Sequence, residues 1–198
     1  MMQRLLDRGG IGVQDLTGVV LSDGPGSFTG LRVGAAVAKA LAHARGLAFA
    51  TAPSLLVRAA ALAAEGGTVL AVSNALRGEV YGAIFRFGPA RVDTVVPPGV
   101  WTPQALVEHA PRPDAIVGEA PPEAVAVLET WSGMRVVGPP RGAPRAVLLF
   151  DLLERTGGAA IISDVEGWEP EYGRPAEAQA RWEKAHGRAL PDPAGSGR

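Results

Sequence analysis

Apolar and polar residues form blocks along the first quarter of the chain, and these blocks predict a strand, a helix and a second strand. Residues 18–22 are a short continuous apolar run, which is typical of a strand covered on both faces. Residues 31–44 hold good helix formers and no breaker before Gly46, so they predict a helix of about four turns. Residues 47–51 predict the next strand. This order indicates an α/β fold with a largely parallel sheet.

The pattern changes near Gly67, where three consecutive strands replace the alternation of strand and helix. A helix that begins near Pro53 precedes this point. The further elements predicted are strands at 68–73, 79–87, 91–95, 114–117 and 134–137 and helices at 102–109, 121–130 and 145–156. We therefore predict a first lobe over residues 1–66, a second lobe over 67–174, and an exposed helix or disordered tail over 175–198.

Composition narrows the function classes. The 198 residues are 47% hydrophobic, and 19 basic residues nearly balance 20 acidic ones, which argues against a disordered chain and against a dedicated nucleic-acid binder. Cysteine is absent from the sequence, so disulfides, thiolate nucleophiles and Cys-based zinc sites are excluded. His43, His109 and His186 lack metal-ligand spacing, and we expect them to face solvent with no metal site. The sequence has neither a membrane-length apolar run nor a signal-peptide core, which predicts a cytoplasmic protein.

A glycine-rich loop joins the first predicted strand to the helix, and it is the most informative segment. Its candidate ligand-binding residues are Gly24, Pro25, Gly26, Ser27, Thr29, Gly30 and Arg32. Such a loop can present backbone N–H groups and a positive helix end to an anion. It lacks the Lys-Ser or Lys-Thr of a phosphate-binding P-loop and the spacing of a dinucleotide fingerprint. On chemistry alone it is either a ligand cradle or a tight turn that caps the helix through Ser27 or Thr29.

Three segments resemble those of one known family. Residues 24–32, Gly-Pro-Gly-Ser-Phe-Thr-Gly-Leu-Arg, are followed by an Ala-rich helix with Lys39 and closely resemble the hallmark segment of the TsaB/YeaZ family. Residues 74–81 are similar to its Asp-Ala-Arg-Arg-Gly-Glu-Val-Tyr, and residues 169–174 to its closing Pro-x-Tyr-Leu-Arg. The departures are Asn74 for Asp, Leu76 for Arg and Gly173 for Leu, which weaken any role for those side chains.

The resemblance implies an ASKHA-type, RNase H-like α/β fold of two lobes. Family members begin with a β-hairpin and a further strand, whereas this chain starts inside the first helix, at residues 1–8. The first lobe is therefore expected to be N-terminally incomplete, and a misassigned start codon is our preferred explanation over a true truncation. The strand at 18–22 would then have unpaired backbone groups along one edge.

The family also implies a role without catalysis. TsaB-like subunits dock onto TsaD, the subunit that transfers a threonylcarbamoyl group to an adenosine of tRNA, and a TsaE-like ATPase joins the assembly. We expect the same here, with a homodimer through the same helices as a further association and with tRNA contacted only indirectly. No catalytic residue and no cofactor of its own are expected, and ATP or ADP would bind only at the interface of the complex.

The helix after the loop is the predicted docking element. Its small-residue stripe of Gly34, Ala35, Ala38 and Ala42 would let a partner helix approach closely, and Leu31 is expected in the same interface. The alternative is that this stripe packs within its own lobe.

Two rival functions stay open at this point. A nucleotide-binding ASKHA-type enzyme would use the loop for phosphate. The absence of acidic residues from Gly24 to Ala64 favours binding of an anion there. Phosphoryl transfer also needs carboxylates that hold magnesium, and Asp23 is the one carboxylate close to the loop in sequence. A direct tRNA binder would use Arg174, Arg181, Lys184 and Arg188, but acidic residues alternate with them as in an ordinary solvated helix. Glu79 and Tyr81 are expected on one strand face, opposite Val80, in a structural role.

Overall fold

The computed structural model describes residues 2–63, 67–173 and 185–187. Its helices are α1 (Met2–Gly9), α2 (Phe28–Arg45), α3 (Ser54–Ala59), α4 (Pro103–His109), α5 (Pro122–Ser132) and α6 (Leu148–Leu153). Its strands are β1 (Gly18–Ser22), β2 (Ala48–Ala52), β3 (Thr68–Asn74), β4 (Val80–Phe87), β5 (Val92–Trp101), β6 (Ala115–Glu119), β7 (Val136–Val137) and β8 (Ala160–Ile161).

The first sheet has three strands in the order β1-β2-β8. β1 is parallel to β2, with Gly18 opposite Ala48, and the two-residue β8 is antiparallel to β2. Within the described residues β1 pairs with β2 alone, so its other edge carries unpaired backbone groups there. An apolar groove of about 460 Å³ lies on this sheet between β1, β2 and α6, with Phe150 and Leu153 on its helical wall.

The second sheet has five strands in the order β5-β4-β3-β6-β7. The predicted meander is confirmed, because β3, β4 and β5 are antiparallel neighbours, whereas β3 and β6 are parallel with Ser73 opposite Glu119. Tyr81 packs into the cluster on one face and Val80 into the cluster on the other, as their one-residue offset predicts. Glu79 lies just before β4 and is half-buried.

One hydrophobic cluster joins the two sheets. Leu55 and Leu56 of α3 pack in it with Phe85 of β4 and Leu152 of α6, and all four side chains are almost fully buried. A second cluster fills the space between the other face of the second sheet and α4 and α5, around Leu106 and Leu128. α3 therefore packs in a single core with elements from both sides of residue 66, where we expected the first lobe to end. The division into two lobes at that residue stays a prediction.

The chain returns to the first sheet at its end, since β8 pairs with β2 and residues 162–168 pack beside α2. The two sheets are therefore not two uninterrupted stretches of sequence. We call residues 162–173 the C-terminal strap, because the following contacts tie them to the loop and to α2.

Several predicted elements differ in length from those observed, and for a strand and a helix among them the difference has a clear physical cause. The strand predicted at 91–95 continues to Trp101 through Pro97 and Pro98, which is tolerated because β5 is an edge strand. The helix predicted over 145–156 is wrong in extent, since α6 holds only Leu148–Leu153. Thr156 instead exchanges backbone hydrogen bonds with the chain around residues 90–92, which draws the backbone out of the helix. β8 is too short to show a pattern in the sequence.

Several sequence predictions lie at or beyond the limit of the described residues. Of the exposed helix or disordered tail predicted over 175–198, only residues 185–187 are described, and the basic residues Arg174, Arg181, Lys184 and Arg188 fall outside the described ranges. In the described part of the chain, no helix has the length and apolar character needed to cross a membrane.

Candidate functional site

The glycine loop between β1 and α2 is held by hydrogen bonds from within the chain. Asp23 donates its N–H to the carbonyl of Ala52 (3.0 Å), and Gly24 donates to the hydroxyl of Ser54 (3.0 Å). Ser54 returns its own N–H to the carbonyl of Gly24 (2.6 Å), and its hydroxyl contacts that of Ser22 (2.7 Å). The start of the loop is thus fastened to the first turn of α3, which favours a structural role for these groups.

Gly24 is required by its surroundings. Its φ is +118°, a region that side chains rarely adopt, and a Cβ there would overlap the carbonyl oxygen of Glu171 in the C-terminal strap. The strap is bonded at the same point, since the N–H of Glu171 donates to the carbonyl of Asp23 (2.8 Å). Glycine at position 24 therefore lets the strap lie directly on the loop.

Asp23 is the carboxylate nearest to the loop in sequence, and its environment disfavours the charged form. Burial raises the pKa of Asp23 above its usual range, a hydrogen bond with Thr51 partly offsets this, and the charge of Glu171 adds to it. Burial and the neighbouring acid therefore both act against the ionised form of Asp23 in the folded protein.

The three segments that resemble the family meet at one point. A Cβ added at Gly173 would lie 2.6 Å from Cε1 of Tyr81 and 2.8 Å from Cβ of Pro25, so the closing segment, the strand segment and the loop touch there. A cavity of only about 40 Å³ remains between them, next to β5. The departure at Gly173 fits this packing, because its φ of +71° and its close neighbours leave no room for the leucine of the family pattern.

Both ends of helix α2 are set by capping residues. Ser27 is the N-cap, and its hydroxyl accepts the N–H of Gly30 (3.3 Å), which decides between Ser27 and Thr29 as capping residue. Gly46 ends the helix in the left-handed conformation at φ +61°. The helix therefore runs over 18 residues, one turn longer at its start than the apolar pattern predicts.

The small-residue stripe faces the interior, which corrects the expected partner face. Leu31, Ala35, Ala38 and Ala42 are buried, and a Cβ on the half-buried Gly34 would meet Leu21 of β1 at 3.4 Å. The stripe packs α2 closely onto β1 and β2, as in the alternative considered above. Small residues are needed here because the helix lies close against its own sheet.

A second apolar stripe on the opposite side of α2 is exposed. We call it the outer face of α2, and it comprises Val33, Ala36, Val37, Ala40 and Ala44. Val33 is 60% exposed and Val37 48% exposed. These positions follow the i, i+3, i+4, i+7 spacing of a helix face, so they form a continuous strip. The sequence pattern could have revealed this strip, because α2 is apolar on two opposite sides.

One flank of α2 is covered by the C-terminal strap. Lys39 donates from Nζ to the carbonyls of Glu166 and Trp168, each at 2.8 Å, and lies 3.8 Å from a carboxylate oxygen of Glu169. Trp168 in turn packs edge-on against Phe49 of β2, with ring centroids 5.0 Å apart. Lys39 is therefore used to fasten the strap, and the outer face is the side of α2 that the described residues leave open.

The described residues hold no group of three His, Cys, Asp or Glu side chains that could bind a metal ion. The three histidines are exposed, as expected, and His43 lies 3.5 Å from Glu166. Together, the loop, the strap and α2 present a capped helix with an apolar outer strip, a geometry suited to binding another protein.

Comparisons with known proteins bear directly on the family. A family model described as TsaD, tRNA N6-adenosine threonylcarbamoyltransferase, matches residues 1–129 of the 198-residue chain. A relative named tRNA threonylcarbamoyladenosine biosynthesis protein TsaB, from Bacillus subtilis (strain 168), is 29% identical over 180 residues, which are 85% of this chain and 74% of the relative. The chain belongs to this family, in its TsaB/YeaZ branch. The TsaB of Escherichia coli (strain K12) is 34% identical over 88 residues, 43% of this chain and 38% of its own length.

Solved structures of the branch share the fold. YeaZ from Pseudomonas aeruginosa has a TM-score of 0.51 at 23% identity, over 67% of this chain and 73% of its own. A crystal structure described as an uncharacterized protein with similarity to peptidase YeaZ from Pseudomonas aeruginosa has a TM-score of 0.57 at 20% identity, over 88% and 81%. These likenesses, with the two sheets and their helices, fit an ASKHA-like α/β fold.

Proposed function

We propose that this protein is a non-catalytic subunit in the synthesis of N6-threonylcarbamoyladenosine in tRNA, and that it docks onto a TsaD-like transferase through the outer face of α2. Family membership supports the pathway, and the exposed apolar strip supports docking. A helix that is apolar on two opposite sides is normally buried on both. One side of α2 is already packed on its own sheet, so we infer that a partner protein buries the other side.

The chemistry of the strip favours a helix as the docking element of the partner. Ala36, Ala40 and Ala44 recur every fourth residue along the outer face, which permits close approach of a second helix axis at about 8 Å. Val33 and Val37 supply the apolar area, worth roughly 25 cal/mol for each Å² removed from water. A homodimer through the same strip is the competing association, and the TsaD-like subunit displaces it in our proposal.

The loop supports the non-catalytic part of the proposal. Phosphoryl transfer needs magnesium held by carboxylates near the phosphates. Asp23 has a raised pKa, and the amide groups at the start of the loop already donate within the chain. The rival interpretation as a nucleotide-binding enzyme is therefore less well supported than a scaffold.

The proposal also covers the cofactors and partners of the complex. In our proposal the chain has no cofactor of its own, and ATP or ADP binds at the interface of the complex. A TsaE-like ATPase joins the complex, and tRNA contacts the chain only indirectly.

The substitution Ala36→Glu tests the proposal. Position 36 is exposed and glutamate is a good helix former, so folding should change by less than about 0.5 kcal/mol. A glutamate there would block close approach of the partner helix and bury a carboxylate, which should cost at least about 3 kcal/mol even with Arg32 one turn away, a loss of affinity of more than about 100-fold. Calorimetric titration with the cognate TsaD-like subunit measures it, alongside tRNA modification by the reconstituted complex.

The matched control is Ala126→Glu, the same change at an exposed position of α5. It should leave both folding and binding as they are. If Ala36→Glu binds the TsaD-like subunit as tightly as Ala126→Glu does, the outer face is not the docking surface. If both variants bind normally but Ala36→Glu abolishes self-association, the strip serves a homodimer instead.

A further inference from the structure

Three side chains form a mixed aromatic and basic surface beside the first turn of α2. The ring of Phe28 contacts that of Tyr172 at a centroid distance of 4.7 Å, and the guanidinium carbon of Arg32 lies 5.2 Å from the Phe28 centroid. Phe28 and Arg32 are exposed, and Tyr172 is half-buried. We call these three residues the Arg32 patch. Stacked arginine and aromatic side chains lose little rotamer freedom on binding, which is why they dominate many interfaces.

The C-terminal strap holds the patch in place. Tyr172 follows Glu171, whose N–H is bonded to the loop, and precedes Gly173, which packs on Pro25 and Tyr81. Lys39 fastens the strap a few residues earlier. Tyr172 is therefore fixed against Phe28 by contacts on both sides, so the patch is preorganised.

Arg32 differs from the other basic residues on the same flank of α2. Arg32, Lys39 and His43 are spaced by seven and four residues, so they lie in one row along the helix. Lys39 has Glu169 as an acidic partner, and His43 has Glu166. Within the described residues Arg32 makes no ion pair, and the charge of Glu171, the acid next to Tyr172, lies close enough to raise the pKa of the half-buried Asp23.

We propose that the Arg32 patch is a second contact for the TsaD-like subunit, and that it receives a carboxylate of that subunit beside an apolar side chain. The inference rests on the proposed function and deepens it. The patch is continuous with the outer face, because Arg32 precedes Val33 and lies one turn before Ala36. A guanidinium that makes no ion pair within the described residues, in a stretch of chain without acids from Gly24 to Ala64, is complementary to a negative surface.

Affinity measurements on variants of the patch test the inference. Arg32→Met keeps the apolar stem and removes the charge, and we expect it to weaken binding to the TsaD-like subunit about tenfold and to flatten the salt dependence of the affinity. Tyr172→Ala should weaken binding by a similar factor, whereas Tyr172→Phe keeps the ring contact and should bind as tightly as the parent. Arg112→Met, at an exposed arginine before β6, is the matched control and should change neither quantity.

The outcomes separate this inference from the proposed function. If Ala36→Glu abolishes binding but Arg32→Met and Tyr172→Ala do not weaken it, the outer face docks the partner and the patch does not. If Ala36→Glu also binds normally, the outer face is not the docking surface, and if the parent chain itself does not bind the TsaD-like subunit, the proposed function is wrong. If Arg32→Met leaves the subunit affinity unchanged and lowers retention of tRNA by the complex, the patch is a nucleic-acid contact and the inference is overturned.

Discussion

Replacing Gly24 by alanine should detach the C-terminal strap from the glycine loop. The added methyl group would overlap the carbonyl of Glu171, and a backbone carbonyl cannot swing aside as a flexible side chain can. Position 24 also has a φ of +118°, which alanine adopts only under strain. Either the loop must change its backbone conformation or the strap must move away.

The expected loss of stability follows from three contributions. Strain at a positive φ costs about 1–3 kcal/mol. Loss of the hydrogen bond from Glu171 to Asp23 costs about 1 kcal/mol, and loss of the ring contact between Phe28 and Tyr172 costs about 0.5–1.5 kcal/mol. The sum of about 2.5–5.5 kcal/mol is a large part of the roughly 5–15 kcal/mol that stabilises a typical domain.

Urea unfolding followed by circular dichroism measures this loss, and hydrogen exchange of residues 168–173 locates it. The control is Gly26→Ala, two residues along the same loop, where φ is not positive and an added Cβ meets nothing within 4 Å. That variant should be unchanged or more stable by up to about 1 kcal/mol. Equal stability of Gly24→Ala and Gly26→Ala, with a protected strap in both, would refute the role assigned to Gly24.

Two further predictions concern stability. Ala38→Glu places an unpaired carboxylate between α2 and its sheet, at a residue only 3% exposed, so it should lower the free energy of unfolding by at least about 3 kcal/mol. Urea titration measures this loss, and Ala36→Glu is the control that should not show it. Equal urea midpoints for the two variants would contradict the inward orientation of Ala38. Burial raises the pKa of Asp23 above 3.8, so the ionised form is disfavoured in the folded state: stability is retained below pH 3.8 and falls as pH rises through the raised pKa. Asp23→Asn should therefore gain stability over the parent between pH 4 and pH 7, as measured by melting temperature against pH, and a constant difference at every pH would be inconsistent with this assignment.

The terminal signals of α2 could be read from the sequence, but its orientation could not. Ser27 and Gly46 mark its ends through local hydrogen bonds and a left-handed turn, both of which depend on neighbouring residues alone. Which side faces the sheet depends on contacts with Leu21 and Phe49 that lie elsewhere in the chain. Because the helix has alanines on two opposite sides, its period could not distinguish the inner stripe from the outer face.

Long-range contacts also explain the other differences. α6 stops at Leu153 because Thr156 bonds to residues near Ala90, and β5 continues through two prolines because none of the described strands lies beyond it in the sheet. The family segments predicted the site more fully than the local chemistry did, since they located all three pieces that meet at Pro25, Tyr81 and Gly173. Their spacing alone did not predict that they touch. The division into lobes and the cofactor expectation stay predictions.

The core shared by the two sheets has a mechanical consequence. Two-lobed proteins that close around a ligand need an interface that can shear or a hinge that can bend. Here α3 is packed in one cluster with strands of the second sheet and with α6, and Gly173 of the strap lies close to Tyr81 of β4 as well. A large apolar contact of this kind opposes relative motion of its two sides. The two sheets should therefore move together as one rigid body. The outer face of α2 then keeps a fixed orientation relative to the second sheet when a partner binds it.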